Sequence, residues 1–416
     1  MATYRLFDGQ AGRPGSLAGD GDIAGFSSPF EACLSFEVTQ DNMWLQGYWW
    51  WITDLGTMPV AAGQKFCLWQ PGYGSNATYA AVIPGSSATS GAMTGGGAWN
   101  YIPLAAPLQL SRDAAYVAAT IYQPSGGSGF WEYKNRWGTG NPWAAGITNG
   151  PLTAFSDQSG SLPAWQSLPQ STYNTPAGTD PAAGTFPGNG NASSFFGMDV
   201  QVTDQAPAGA SYEIWPSLLI PPGAANVGSA FAGIYTLGTE FILSEPCTLN
   251  QIRFYSPSDT QALPTRCAIW DVNTQTVVPG TDNTNPSWLL EDGSAASAGA
   301  GRMLHVTYGG VTLPAGKYKT SVFYGTDNIK WFADLSNYWG PGTYPLGVGN
   351  GGITSGPVTA PDEAHSDGAA QGSYLGGAAP FGYPATADGA AGYFLDIQVT
   401  PPPAAGPSYT ASMSSM

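Results

Sequence analysis

The sequence predicts an all-β chain, built as two tandem antiparallel β-sandwich (jelly-roll-like) domains with long loop insertions. Three observations lead there. Gly (57) and Pro (35) are abundant among 416 residues, 10% of which are charged and 43% hydrophobic; this is poor helix material with ample apolar surface for packed cores. No stretch of ten or more residues carries a sustained 3.6-residue period. Lastly, Ile147-Thr148-Asn149-Gly150-Pro151-Leu152-Thr153-Ala154 returns as Ile353-Thr354-Ser355-Gly356-Pro357-Val358-Thr359-Ala360, and an internal repeat governs any fold assignment.

Echoes flank that segment in the same order. Residues 3–7 match 211–215, 36–38 match 241–243, 66–69 match 266–270 with one residue of slack, 135–138 match 337–340, and 198–203 match 395–400. The offsets stay between 197 and 208, as for Asp199 with Asp396 and Tyr4 with Tyr212. The expected organisation is a first repeat over residues 1–204, a linker over 205–210, a second repeat over 211–400, and a Pro/Ala/Ser tail over 401–416 with too little apolar content to pack by itself.

In chain order, residues 3–7 form the first strand. Residues 33–39 alternate Leu34, Phe36 and Val38 with Ser35 and Glu37, the pattern of a half-buried strand. Residues 45–52 align so that Tyr48 and Trp50 share a face with Ile252 and Phe254, which turns Trp50 to the core and Trp49 and Trp51 away. Leu45 and Leu249 have the parity of Trp49, so the second face is expected to be partly covered unless a bulge intervenes. Strands follow at 65–70, 99–104, 108–110 and 116–122, and strands over 196–203 and 394–400 close the units. Two loop-rich insertions, 123–194 and 325–391, hold the extra length, and long loops of this kind often carry function.

A net charge of −16, from 12 Lys plus Arg against 28 Asp plus Glu, repels a phosphate backbone and anionic lipid, so neither nucleic acid nor membrane is an expected partner. Among the four cysteines only Cys67 and Cys267 are repeat-equivalent, while Cys33 and Cys247 are not, which points to free buried thiols. Neither a signal peptide nor an 18-residue apolar span is found. Asn76 and Asn191 fit the glycosylation pattern but read as plain loop residues.

Leu237-Gly238-Thr239-Glu240-Phe241, Ile252-Arg253-Phe254-Tyr255, Ala268-Ile269-Trp270-Asp271 and Leu313-Pro314-Ala315-Gly316-Lys317-Tyr318 together resemble a family of uncharacterised β-sandwich domains of high-GC bacteria that occur beside carbohydrate-active modules. The resemblance is most specific over residues 231–325, weaker in the first unit, where Gln70 stands for Asp271, and absent from the insertions. A tandem form opening Met1-Ala2-Thr3-Tyr4-Arg5-Leu6 is similar to minor tail and other virion proteins of actinobacteria and their phages. The resemblance implies no catalytic residues. It implies a non-enzymatic virion structural protein, a minor tail or exposed decoration component. Such a protein is made in the host cytoplasm, exposed on the particle, oligomeric in assembly, and in contact with other virion proteins and with host cell-wall glycan. The alternatives are a bacterial carbohydrate-binding or adhesive surface module and a glycan-active enzyme.

Only two histidines occur, His305 and His365, at non-equivalent positions, so the repeats share no nucleophile–histidine arrangement. Glu132, Glu213 and Glu240 are the carboxylates a glycosidase reading would draw on. Asp199 and Asp396 are the repeat-equivalent carboxylates, read as satisfied by backbone N–H groups or as outward on an edge; a structural Ca²⁺ is the alternative, and no other cofactor is expected. Residues 271–282 begin like an EF-hand loop, but Thr276 stands where Gly is required and Asp282 where Glu is required, which rules it out.

The 15 Trp and 21 Tyr are the most unusual content. Trp50, Trp69 and Trp270 are assigned to cores. Trp131, Trp137, Trp143, Trp331, Tyr338, Trp339 and Tyr344, all in the insertions, are the expected partner or glycan contacts, with Trp137 and Trp339 as anchors.

Overall fold

In a computed structural model, the described residues are 2–7, 22–26, 30–52, 63–70, 81–94, 97–112, 114–122, 129–135, 146–154, 172–174, 180–183, 189–190, 194–195, 197–216, 218, 231–325, 330–332, 338–340, 352–366, 371–377, 380–388 and 391–403; for the strand residues of 22–30, 122–135, 172–174, 189–195, 231–232 and 330–332, and for residue 183, the description is of backbone alone. Strands dominate, and among these residues the helical turns are two short 3₁₀ segments, Pro181–Ala183 and Glu363–His365. No helix among them is long and apolar enough to cross a membrane.

The two repeats have the same strand order. In the first, Thr3–Arg5, Met198–Thr203, Met43–Ile52 and Ala98–Leu110 lie side by side in a four-stranded sheet. Facing it, a larger sheet runs Ile147–Asn149, Leu152–Ala154, Phe30–Val38, Ala115–Tyr122, Lys65–Gln70, Ala81–Val82. The second repeat sets Tyr212–Glu213, Leu395–Thr400, Cys247–Ser256 and Arg302–Leu313 against Ile353–Ser355, Val358–Ala360, Tyr235–Leu243, Gly316–Tyr324, Arg266–Asp271 and Thr276–Val277. All these pairings are antiparallel, and each sheet draws its described strands from one repeat.

Between the sheets the alternating apolar residues interlock. Tyr48 stacks on Phe66 at 5.6 Å and Trp50 meets the same ring edge-on at 6.2 Å, so Trp50 points inward as its parity requires. Leu45 and Leu249 also lie in the core, which corrects the expectation that they face outward. The ladder skips Gln46 in one unit and Asn250 in the other, and a bulge reverses the parity of every residue beyond it. Residues 99–104 and 108–110, read as two strands, form one strand, Ala98–Leu110, whose register against Met43–Ile52 jumps from Pro103 to Leu108.

The repeated octapeptide is a hairpin in both units. Asn149 pairs with Leu152 and Ser355 with Val358, which leaves Gly-Pro as the two-residue loop. Gly150 and Gly356 take φ of 57° and 55°, whereas proline is locked at negative φ, the combination a type II′ turn needs. A Cβ at either glycine would collide with Tyr4 or Tyr212. The Pro151 and Pro357 carbonyls then accept from Thr39 N–H at 2.8 Å and Ser244 N–H at 3.0 Å, which fastens each hairpin to its larger sheet.

Part of each insertion turns back over the outer face of the larger sheet. Pro181–Ala183 lies against the Lys65–Gln70 strand, and Ala182 packs on the cluster of Cys33, Cys67, Trp69, Val117 and Ala119. In the second unit Phe381 and Tyr383 cover Trp270 at 5.2 and 5.9 Å. Trp69 and Trp270 are equivalent and buried, facing Val117 and Lys319 across the ladder. They lie outside the sandwich interior, however, where the sequence placed them. All four cysteines are free and buried.

The described aromatic residues among the expected contacts lie inside. Tyr338 and Trp339 are both 0% exposed, packed with Trp215 and Phe394 at 5.0–6.1 Å, and Trp215 Nε1 donates to the Tyr338 hydroxyl at 2.8 Å. They plug the core of the second unit and cannot anchor a partner from that position, which corrects the assignment of Trp339. Trp137, Trp143 and Tyr344 lie outside the described residues; for Trp131 and Trp331 the description is limited to the backbone of Gly129–Asn135 and Lys330–Phe332. Trp339→Ala is expected to cost ~3–5 kcal/mol in urea denaturation through lost burial and a cavity; unchanged stability would contradict the core placement.

Candidate functional site

The repeat-equivalent aspartates organise the outer side of each four-stranded sheet. Asp199 Oδ1 accepts from the N–H groups of Leu6 (3.1 Å) and Val200 (2.7 Å), and Oδ2 from Phe7 (3.2 Å). Asp396 does the same with Ile214 (2.8 Å), Ile397 (2.6 Å) and Trp215 (3.3 Å). Both carboxylates are fully buried. Burial pushes each up to about 7, while a neighbouring guanidinium and these N–H groups pull it down. Donors converging on both oxygens make an anion site, and a Ca²⁺ ion here would face N–H dipoles.

The guanidinium comes from a different strand in each unit. Arg5 approaches Asp199 at 3.3 Å and lies flat on Trp49, 3.9 Å from the ring centroid. At the positions equivalent to Arg5 and Trp49 the second unit has Glu213 and Arg253, as the ladders Trp49–Asp199 and Arg253–Asp396 show. Arg253 bonds Glu213 and Glu291 and lies 3.6 Å from Asp396. Burial works against its charge, but the three carboxylates outweigh that and raise it. Desolvation, opposed by Arg253, also raises Glu213, and burial lowers His305 beside it. Glu213 and Asp396 thus share one cation, a strand tie and not a separated acid–base pair.

Other titratable groups are similarly enclosed. Glu240 and Lys319 are cross-strand partners under the second insertion, both 0% exposed, where the first unit has Ser35 and Val117. Lys319 donates to Ser373 Oγ at 2.8 Å, and burial lowers it to about 8 against the pull of Glu240. Glu31 is buried on the first unit's larger sheet, its oxygens without a hydrogen-bond partner among the described residues, and desolvation raises it to about 8. The side chain of Glu132 lies outside the described residues.

One aromatic face stays open. Tyr101, opposite Trp49 in the ladder, packs on it at 5.0 Å with the rings tilted by 37° and is 38% exposed, the large hydrophobic side chain most open to solvent among the described residues. Its hydroxyl donates to the Gln46 carbonyl at 3.0 Å, and Trp49 Nε1 donates to Gln201 Oε1 at 3.0 Å. Trp99 and Trp51 continue the row edge-to-face at 5.6 Å. A flat ring held by such bonds can stack on the apolar side of a sugar or take a protein side chain. Sequence reasoning sought this surface in the insertions; the Trp49/Trp51 parity was the signal that could have found it.

A second feature is the cleft where the units meet, about 460 Å³ counted out to its mouth, floored by Ile214, Trp215 and Tyr338 and rimmed by the Asp41–Arg112 ion pair (3.3 Å). It is bridged by Gln109 Nε2 to Ser355 Oγ (3.0 Å), Ser111 Oγ to the Pro216 carbonyl (2.6 Å) and Gly356 N–H to Asn42 Oδ1 (2.5 Å). The units also touch where Trp44 meets Tyr212 edge-on at 5.8 Å. No family model matches the chain, and no curated protein matches it.

Two outcomes follow from these ties. Arg5→Glu alone sets a carboxylate against Asp199 and is expected to cost about 3–5 kcal/mol, whereas Arg5→Glu with Trp49→Arg rebuilds the second unit's arrangement and recovers most of that in denaturant titration; no recovery would refute the exchange. Glu31 has a raised folded pKa, so its contribution is full below about pH 4.5 and fades as pH rises to about 8. Glu31→Gln is therefore expected to leave stability near that of the native chain at pH 5 and to raise it by a few kcal/mol at pH 9.

Proposed function

We propose that this chain is a non-enzymatic structural protein of a phage virion exterior, a minor tail or decoration component, whose first unit presents the Trp49–Tyr101 face to its partner. What carries the reading is how the two sandwiches use their chemistry. The carboxylates and the arginines of the sheet faces tie strands, most of the described indoles are buried, and among the described residues the Tyr101 ring beside Trp49 is the large apolar side chain left open to solvent. Rigid acidic sandwiches joined by hydrogen bonds suit a load-bearing or display role, and repulsion between negative surfaces keeps free copies apart before assembly. Virion proteins are the expected neighbours, and self-assembly into the particle is part of the proposal. Immunogold electron microscopy of phage particles with antibody against this chain is expected to label the exterior; labelling confined to lysate debris would overturn it.

A second reading, a carbohydrate-binding or adhesive module, is favoured by one observation, the half-open Tyr101 ring beside the Gln201 amide. Under it, purified protein binds cell-wall polysaccharide saturably, and Tyr101→Ala weakens binding about tenfold, the order of one lost stacking contact, with folding unchanged by circular dichroism. Equal retention of both proteins on the polysaccharide would remove this reading.

A further inference from the structure

Ala98–Leu110 is the outer strand of the first unit's four-stranded sheet, and Arg302–Leu313 holds that place in the second. The two edges differ: among the described residues the first has no further strand beyond it, whereas the second is paired. In the second unit Leu289 pairs antiparallel with His305: the His305 N–H donates to the Leu289 carbonyl at 3.0 Å, and the Leu289 N–H donates to the His305 carbonyl at 2.8 Å. Trp288, one residue earlier, enters the core edge-on to Phe254 at 4.6 Å. Tyr101 is the equivalent of His305, since they face Trp49 and Arg253 in the ladders. It is 38% exposed, His305 6%.

The backbone of Trp99 and Tyr101 points out of the sheet. Trp51 donates its N–H to the Gly197 carbonyl on the opposite side at 2.8 Å, so the pairs Trp49–Tyr101 and Trp51–Trp99 are the non-hydrogen-bonded ones of their ladder. At the next outward position stands Pro103, with no N–H to leave unpaired, as suits an edge. Thr94, nearby, is tied to the Asn100 side chain at 2.6 and 2.9 Å and not to the strand backbone. The edge strand carries no charged residue, although charge is a common protection for open edges.

We propose that the chain's own C-terminal segment, residues 408–413, adds to this edge as an antiparallel strand at Trp99 and Tyr101, in the place Leu289 takes in the second unit. Ser408, Tyr409, Thr410, Ala411, Ser412 and Met413 alternate polar and apolar residues with the period of a strand. No side chain of residues 401–416 is charged, so in a chain of net charge −16 the pairing brings no like charges together. Reach agrees. Thr400 bonds Ser211 at 2.9 Å beside Tyr212, whose ring meets Trp44, and Trp44 is the ladder partner of Gln109. Gln109 and Tyr101 are eight positions apart, at most roughly 26 Å, and the eleven positions from Thr400 to Ala411 extend to roughly 36 Å, which leaves length for the step from Thr400 across to Gln109. The tail leaves Thr400 near the junction of the units and runs back along a strand that points towards it, which sets the antiparallel sense. Docked there it lies beside the Trp49–Tyr101 face and competes with any ligand of that face. The inference goes beyond the virion reading and stands without it, because it concerns the isolated chain.

Hydrogen exchange read by mass spectrometry tests it on the full chain, on a chain ending at Pro403, and on the full-length Tyr409→Pro, Ala411→Pro variant. Prolines remove the donors of the added strand without shortening the chain. The expected result is that the Trp99 and Tyr101 amides exchange about tenfold or more faster in both altered chains than in the native one, at every protein concentration. Equal exchange in all three would overturn the proposal. Protection that grows with protein concentration would also overturn it, by assigning the edge to the tail of a second copy.

Discussion

A buried carboxylate holding the backbone of the first strand is the constraint on which both sandwiches depend. Asp199 and Asp396 each sit on the strand that closes their unit and receive two successive N–H groups just past the strand that opens it. The two ends of a unit of nearly two hundred residues are thereby locked together. Burying a charge this way is costly unless every lone pair is met, and here backbone donors, which no substitution short of proline removes, supply most of the compensation. The remaining partner, a guanidinium, is free to come from either neighbouring strand. That freedom explains how the units exchange Arg5 and Trp49 for Glu213 and Arg253 with no change of topology.

The second consequence is where aromatic surface ends up. The outer face of each larger sheet carries buried apolar side chains, joined in the second unit by Glu240 and Lys319, and the described parts of the insertions fold back over it, so Trp69 and Trp270 are buried without belonging to the sandwich interior. The rings of Tyr338 and Trp339 close one end of the second core. Loops long enough to look like binding loops are thus partly consumed in covering their own unit. Among the described residues the aromatic surface that stays open belongs to a sheet, at Trp49 and Tyr101, where no described segment pairs with the edge as Leu289 does in the second unit.

The repeated hairpin serves two purposes, and the junction between the units uses the second copy. In the first unit Asn149, at the hairpin tip, bonds the Arg5 carbonyl within its own unit at 2.7 Å; in the second the equivalent Ser355 reaches across to Gln109. The receiving side is not repeated. Thr312 and Pro314 stand where the first unit has Gln109 and Ser111, and the turn that holds Asn42 is one residue shorter in the second unit. The contact therefore joins these two units in this order and offers no matching socket at the far unit for a further copy.

The all-β class, the tandem order and the main strands were legible in the sequence because each rests on local information: alternation, turn residues and a repeat visible by comparison of the chain with itself. The inward direction of Trp50 and the equivalence of Asp199 and Asp396 were legible for the same reason, whereas the choice for the two carboxylates between an outward place on an edge, backbone N–H partners and a Ca²⁺ ion was left open, because the Leu6 and Ile214 donors stand 193 and 182 residues away. The outward reading of Leu45 failed because one bulge residue, Gln46, reverses parity, and a bulge leaves no mark in the hydrophobic pattern. Trp339 was misplaced because an indole in a Gly-rich loop looks the same whether the loop faces solvent or folds over a core. What covers a face, which edge stays open and where a guanidinium approaches a carboxylate are set by residues one or two hundred positions apart, brought together when apolar surface is removed from water. Periodicity reports which side of a strand is apolar, and only the tertiary structure decides what that side meets.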